Sequence, residues 1–148
     1  MRQLLILLCA VLPAAALGQS KAEYIGGTAP HVTAGSEGSI HVEDERYFAF
    51  YSKHSQVRVG YDQINLIEYG QQVGRRLGYA IVISPIFLLS KQHKHFLTVG
   101  YTGEDGKQQA LVFRVDKNDI RATLVSLEAR TGLRVEYQDP EARKAGKG

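Results

Sequence analysis

From Gly38 onward, apolar and polar residues alternate in short runs. Ser39-Ile40-His41-Val42 and the aromatic run Arg46-Tyr47-Phe48-Ala49-Phe50-Tyr51 flank the polar turn Glu43-Asp44-Glu45, a pattern that predicts a β-hairpin. Gln56 to Tyr61 predicts a further strand with Val57, Val59 and Tyr61 on one face. Ile64 to Tyr69 predicts a fourth, with Leu66 on the face of Ile64, and Ile67 with Tyr69 on the other. Phe96 to Tyr101 and Gln109 to Val115 bracket a turn containing Asp105-Gly106, which predicts an antiparallel hairpin with Leu111, Phe113 and Val115 on a shared face. The period then lengthens to that of a helix: Ile120, Leu124 and Leu127, backed by Val125. Asp116 is its expected N-cap and Gly132 its expected C′ residue, which brings Leu133 toward Leu127. Val135-Glu136-Tyr137 predicts a brief extended piece, after which Asp139-Pro140 turns the chain into a charged tail, 139–148, expected to fray.

Three segments depart from this rhythm. The first, MRQLLILLCAVLPAAALGQS, has one Arg, an apolar block from Leu4 to Leu12 and then small residues, the layout of a secretory signal over 1–18. Such a signal implies export across the cytoplasmic membrane to the periplasm or the extracellular space. The second, residues 19–37, is rich in Gly, Ser, Thr and Ala and reads as a flexible lead-in, with Tyr24 and Ile25 as its anchors. The third is GRRLGYAIVISPIFLLSKQHKHF, from Gly74 to Phe96. It is uncharged from Leu77 to Leu89 and flanked by Arg75 and Arg76 on one side and by Lys91 and Lys94 on the other.

At about 1.5 to 3 kcal/mol for each large side chain taken out of water, the location of that third segment matters as much as a domain's whole net stability of about 5 to 15 kcal/mol. Two placements are open. Gly70, Gly74 and Gly78 stand four apart, and on a helix would form a smooth stripe leading into a shallow membrane insertion. Leu77, Tyr79, Ile81, Ile83, Ile86, Phe87, Leu88 and Leu89 would then contact lipid, and Arg75, Arg76, Lys91 and Lys94 the headgroups. Alternatively, Tyr79 to Ile83 supplies a fifth strand, as the β-branched Ile81-Val82-Ile83 favours, and the stretch belongs to the core.

Composition narrows the chemistry. The chain carries 18 Lys and Arg against 15 Asp and Glu, so its charge points neither to nor away from nucleic acid. The tyrosines fall mainly in predicted strands rather than on a basic face, and no nucleic-acid partner is expected. Cys9 is the single cysteine and lies in the signal, which leaves no thiol for a disulfide, a nucleophile or a thiolate metal site. His93 and His95 could share a strand face, but no carboxylate is close in sequence and Lys94 lies between them; two exposed histidines at a strand start are expected, and no metal. No G-x-S-x-G, H-E-x-x-H or phosphate-cradling glycine loop is present, and neither enzymatic activity nor a cofactor is expected.

Antiparallel strands followed by one amphipathic helix make an α+β plan in which the helix covers a curved sheet. The runs GSIHVEDERYFAFYS, VRVGYDQINLIEYG and HFLTVGYTGEDGKQQALVFRV, with the closing helix, resemble a bacterial pleckstrin-homology (PH) or GRAM-like domain over Gly38 to Gly132. YIGGT, EYGQQVGRR, KHFLTVGY, LEARTG and VEYQDPEARK are also similar to a set of secreted bacterial proteins of this type, a likeness that implies a fold and no activity. The resemblance implies a PH-like antiparallel β-barrel or sandwich of seven strands over 38–138, closed by one C-terminal helix, with an apolar insertion at 74–90. It also implies a ligand class of acidic lipids or proteins. Phosphoinositide-binding members place Lys and Arg between their first two strands, where the matching turn here is Glu43-Asp44-Glu45, which would repel a phosphate. The expected function is therefore a non-enzymatic, exported module that meets a membrane lipid surface through the apolar stretch. The alternative is a protein-interaction or scaffold module, with an unidentified protein as partner and that stretch in its core.

Overall fold

The computed structural model describes residues 19–73 and 95–147. Eight strands form one mixed sheet: β1 (Gln19–Gly27), β2 (Ser36–His41), β3 (Tyr47–Ser52), β4 (Gln56–Gly60), β5 (Ile64–Gly70), β6 (His95–Thr102), β7 (Gln108–Val115) and β8 (Glu136–Tyr137). Two helices follow β7, α1 (Ile120–Thr131) and α2 (Pro140–Lys147), and a 3-10 turn at Tyr61–Gln63 links β4 to β5. The class is α+β. The strand order is β4-β3-β2-β1-β7-β6-β5-β8, antiparallel throughout except for the parallel β5–β8 pair. The sheet is not closed: no ladder joins β4 to β5 among the described residues, so of the expected barrel or sandwich the closed barrel does not form.

That sheet is nonetheless strongly bent. β3 and β7 are three steps apart, which in a flat sheet would separate them by about 14 Å. Yet the rings of Phe48 and Phe113 lie 5.9 Å apart, and those of Phe50 and Phe113 5.0 Å. The bend lets Ile40, Phe48, Phe50 and Val59 from one end meet Ile67, Tyr69, Leu97, Leu111 and Phe113 from the other in a single core.

Helix α1 caps this core with Ile120, Leu124 and Leu127, the residues its spacing selects, whereas Val125 is 58% exposed and does not back them. Gly132 ends the helix at φ +72°, with its N–H donating to the Glu128 carbonyl. The start is one turn later than expected. Asp116 accepts from the Asn118 N–H in a preceding turn, and Asp119 holds the N-cap position. Arg130 in the last turn donates to the carbonyls of Val42 and Glu43 at 2.9 and 3.0 Å and lies over the Tyr61 ring, which latches the β2–β3 turn to the helix.

Two segments taken from sequence as irregular are ordered. Residues 19–27 of the expected lead-in form β1, in the middle of the sheet between β2 and β7. Ser20, Ala22 and Tyr24 point inward and are buried, and the Ser20 hydroxyl bonds the Asp119 carbonyl at 3.0 Å and the Thr123 hydroxyl at 2.6 Å. Two of the three inward residues, Ser20 and Ala22, are small, which suits a strand lying under a helix but leaves little hydrophobic period to read. The expected charged tail forms α2, not a frayed end, making two C-terminal helices where one was expected. Pro140 occupies its first turn, Asp139 accepts from the Ala142 N–H at 2.7 Å, and Ala142 is wholly buried.

A register shift between Ile64 and Leu66 corrects the facing of β5. It brings Ile64 into the core with Ile67 and Tyr69, where simple alternation would set them on opposite faces.

Candidate functional site at the base of the apolar connection

Strands β5 and β6 pair directly, with Tyr69 opposite Leu97 and Gly70 opposite Phe96. Everything from Gln71 to Lys94 is therefore a connection between two adjacent antiparallel strands. The expected lipid contacts Leu77, Tyr79, Ile81, Ile83, Ile86, Phe87, Leu88 and Leu89 lie outside the described residues, as do the expected headgroup contacts Arg75, Arg76, Lys91 and Lys94. What the structure describes is the frame that holds both ends of this stretch.

On the core side of the frame, the Tyr69 hydroxyl bonds His95 Nδ1 at 2.9 Å, the two rings stack at 5.5 Å, and Tyr137 meets Tyr69 edge-on at 6.3 Å. His95 is only 3% exposed, so the expectation of two exposed histidines fails at this one; His93 lies outside the described residues. Burial pushes the Tyr69 hydroxyl far above its ordinary pKa, with a smaller contribution from the negative charge of Asp116. The Tyr69 hydroxyl therefore stays protonated and pins His95 through its hydrogen bond.

On the opposite face, the outgoing chain is clamped by the segment that follows α1. Gln138 donates through Nε2 to the buried Glu68 carboxylate and to the Gln72 carbonyl, while its Oε1 accepts from the Gln72 N–H at 2.9 Å. Gln71 donates to Glu141 of α2 at 2.6 Å. The Gln138 side chain fits because residue 70 is glycine: a Cβ there would come within 2.6 Å of Gln138 Cβ. Gly70 thus serves a strand-end contact in β5 and not the helical glycine stripe expected from its spacing to Gly74 and Gly78, both outside the described residues.

Beside the clamp, Ile25, Phe96 and Val112 form a second apolar cluster on the face of β1, β7 and β6 turned away from the main core. Ile25 and Val112 are fully buried, and Val73 packs against the cluster. The last described residue before the apolar stretch therefore lies on this patch, and Phe96 leads the chain back to it. Sequence reasoning missed the clamp. Gln138 is 70 positions from Glu68, and nothing local marks either residue.

The acidic turns behave as solvated turns. Asp44 Oδ1 accepts from the N–H groups of Arg46 and Tyr47 at 2.7 and 3.1 Å, which holds its carboxyl below the usual range. The true connection between the first two strands is residues 28–35, because β1 precedes the strand taken as first; it holds His31 and no Lys or Arg. Among the described residues, no three His, Cys, Asp or Glu side chains gather where they could hold a metal ion, and no helix is long and apolar enough to cross a membrane. No family model matches this chain, and no curated protein matches it in sequence.

Proposed function

We propose that the protein is a non-enzymatic, exported PH-like module that associates peripherally with a membrane surface through Leu77 to Leu89, with Arg75, Arg76, Lys91 and Lys94 at the headgroups. The observation that carries this reading is the direct β5–β6 pairing, which completes the meander without the apolar stretch. The described residues already supply seven strands of this meander, β1 to β7. The order β4-β3-β2-β1-β7-β6-β5 under a helix following β7 supports the PH-like assignment, since it is a meander whose first and last strands pair. The loop at 28–35 lacks cations, which directs the search for a lipid contact to the flanked apolar stretch.

Co-sedimentation with anionic vesicles tests the proposal. The full chain is expected to pellet with vesicles, and a folded Ile83→Asp/Phe87→Asp variant to remain in solution. Equal sedimentation of the two folded proteins would sink it.

The buried patch of Ile25, Phe96 and Val112 favours a second reading, in which part of the apolar stretch covers the protein's own sheet and the module binds protein partners through a strand edge such as β4. Under this reading the same double substitution abolishes the cooperative thermal transition, because two carboxylates would be forced against an apolar surface.

A further inference from the structure

Strand β2 carries Ser39, His41 and, just past its end, Glu43 at every second residue, so all three project from the solvent face of the sheet. Ser39 Oγ lies 2.8 Å from His41 Nε2, and His41 Nδ1 lies 3.3 Å from Glu43 Oε2. We propose that Ser39 is an activated nucleophile that accepts an acyl or phosphonyl group from reactive esters. The Glu43 carboxylate favours the tautomer with the proton on Nδ1, which leaves the Nε2 lone pair to receive the Ser39 proton. The order of atoms is that of a serine–histidine–carboxylate relay: hydroxyl to Nε2, Nδ1 to carboxylate.

The surroundings fix this arrangement. Tyr51 packs edge-on against the imidazole at 4.9 Å and is itself held by Arg58, which donates to its hydroxyl at 3.1 Å. Cross-strand register places Lys21 of β1 and Tyr51 of β3 beside Ser39, and Gln19 of β1 beside His41. The charged and titratable groups facing the pair are therefore Lys21, Glu43, Tyr51 and Arg58. His41 keeps 23% of its side-chain surface in solvent and Glu43 43%, so a reagent in solution can reach the site.

In the acylation step the Ser39 Oγ–carbonyl carbon bond forms and the ester C–O bond breaks; with a fluorophosphonate the Oγ–phosphorus bond forms and the P–F bond breaks, releasing fluoride. The Oγ proton passes to Nε2 and then to the departing alkoxide. Acylation and hydrolysis of the acyl-serine both pass through a tetrahedral oxyanion, so both are expected to be slow, and only reagents with good leaving groups acylate the serine. β2 is flanked by β1 and β3, so its backbone amides are spent in ladders and cannot supply an oxyanion hole. The expected behaviour is slow stoichiometric labelling with little turnover, which leaves the binding role proposed above intact.

The test treats the full chain with a fluorophosphonate probe and, separately, with p-nitrophenyl acetate, followed by peptide mapping. Ser39 is expected to carry the adduct in preference to Ser36, Ser52 and Ser55. His41→Gln should lower the rate at least tenfold, and Glu43→Gln should lower it severalfold, both with unchanged thermal unfolding. Absence of an adduct, even labelling across the serines, or an unchanged rate in folded His41→Gln would each overturn the proposal.

Discussion

At the scale of single residues, two buried tyrosines separate packing from hydrogen bonding. Tyr61 is 5% exposed, and its hydroxyl has no hydrogen-bond partner among the described residues, while its ring faces the Arg130 guanidinium. Tyr69 is fully buried and its hydroxyl is bonded to His95. Replacing an unsatisfied buried hydroxyl by hydrogen costs little, whereas removing one member of a buried pair leaves the other desolvated. Tyr61→Phe is therefore expected to be neutral or stabilising by up to about 1 kcal/mol, and Tyr69→Phe to cost about 1 to 3 kcal/mol, in denaturant titrations of each. Burial also pushes the Tyr61 hydroxyl up to about 12. A folded-state value above the unfolded one, about 10, means that the stabilisation is complete below pH 10 and is lost as pH rises toward 12. Ultraviolet absorbance of the wild type should thus show a delayed tyrosinate step coinciding with loss of structure, and Tyr61→Phe should move unfolding to higher pH.

At the scale of elements, the strands after Gly38 were legible because each is a run with period two between turn residues, and α1 because its apolar spacing ends at Gly132. β1 and α2 were not. The N-terminal half of β1 buries only Ala22 and a serine, Ser20, whose partners, Asp119 and Thr123, stand about a hundred positions away. α2 buries little beyond Ala142 and Gly146, and a short charged segment acquires helical order only by docking. Both elements are expected to be integral to the fold. A chain beginning at Thr28 removes β1 from between β2 and β7 and should show no cooperative thermal transition. Ala142→Asp places a charge at a fully buried site and should destabilise by about 3 kcal/mol or more, measured by chemical denaturation. Full stability of either variant would mean that the element is not part of the core.

At the scale of the whole molecule, the bent sheet brings the ends of the 71–94 connection together at a frame built from β5, β6, β8 and α2. Because Gly70 and Phe96 face each other across the ladder, a short Asn-Gly turn can replace 74–94. The shortened protein is expected to keep a cooperative melt, at a lower temperature because Ile25, Phe96 and Val112 lose any cover the stretch provides, and to lose vesicle binding. Calorimetry and co-sedimentation check the two halves separately; a chain that no longer folds would instead place the stretch in the core.

Alternation and spacing are local properties, and from them the sequence by itself determined an α+β class, the strands from Ser39 to Val115, the Asp-Gly hairpin and the buried face of α1. It also marked Leu77 to Leu89 as the place where burial and charge conflict. Only the tertiary structure decided that β1 lies at the centre of the sheet, that the sheet stays open, and that Gln138 clamps Glu68 and Gln72. Each of these rests on contacts between residues far apart in the chain, where small or polar side chains gain their meaning from a partner and not from a period. The same holds around the apolar stretch: its composition demanded a partner, and the direct pairing of β5 with β6 leaves no place for a further strand between those two.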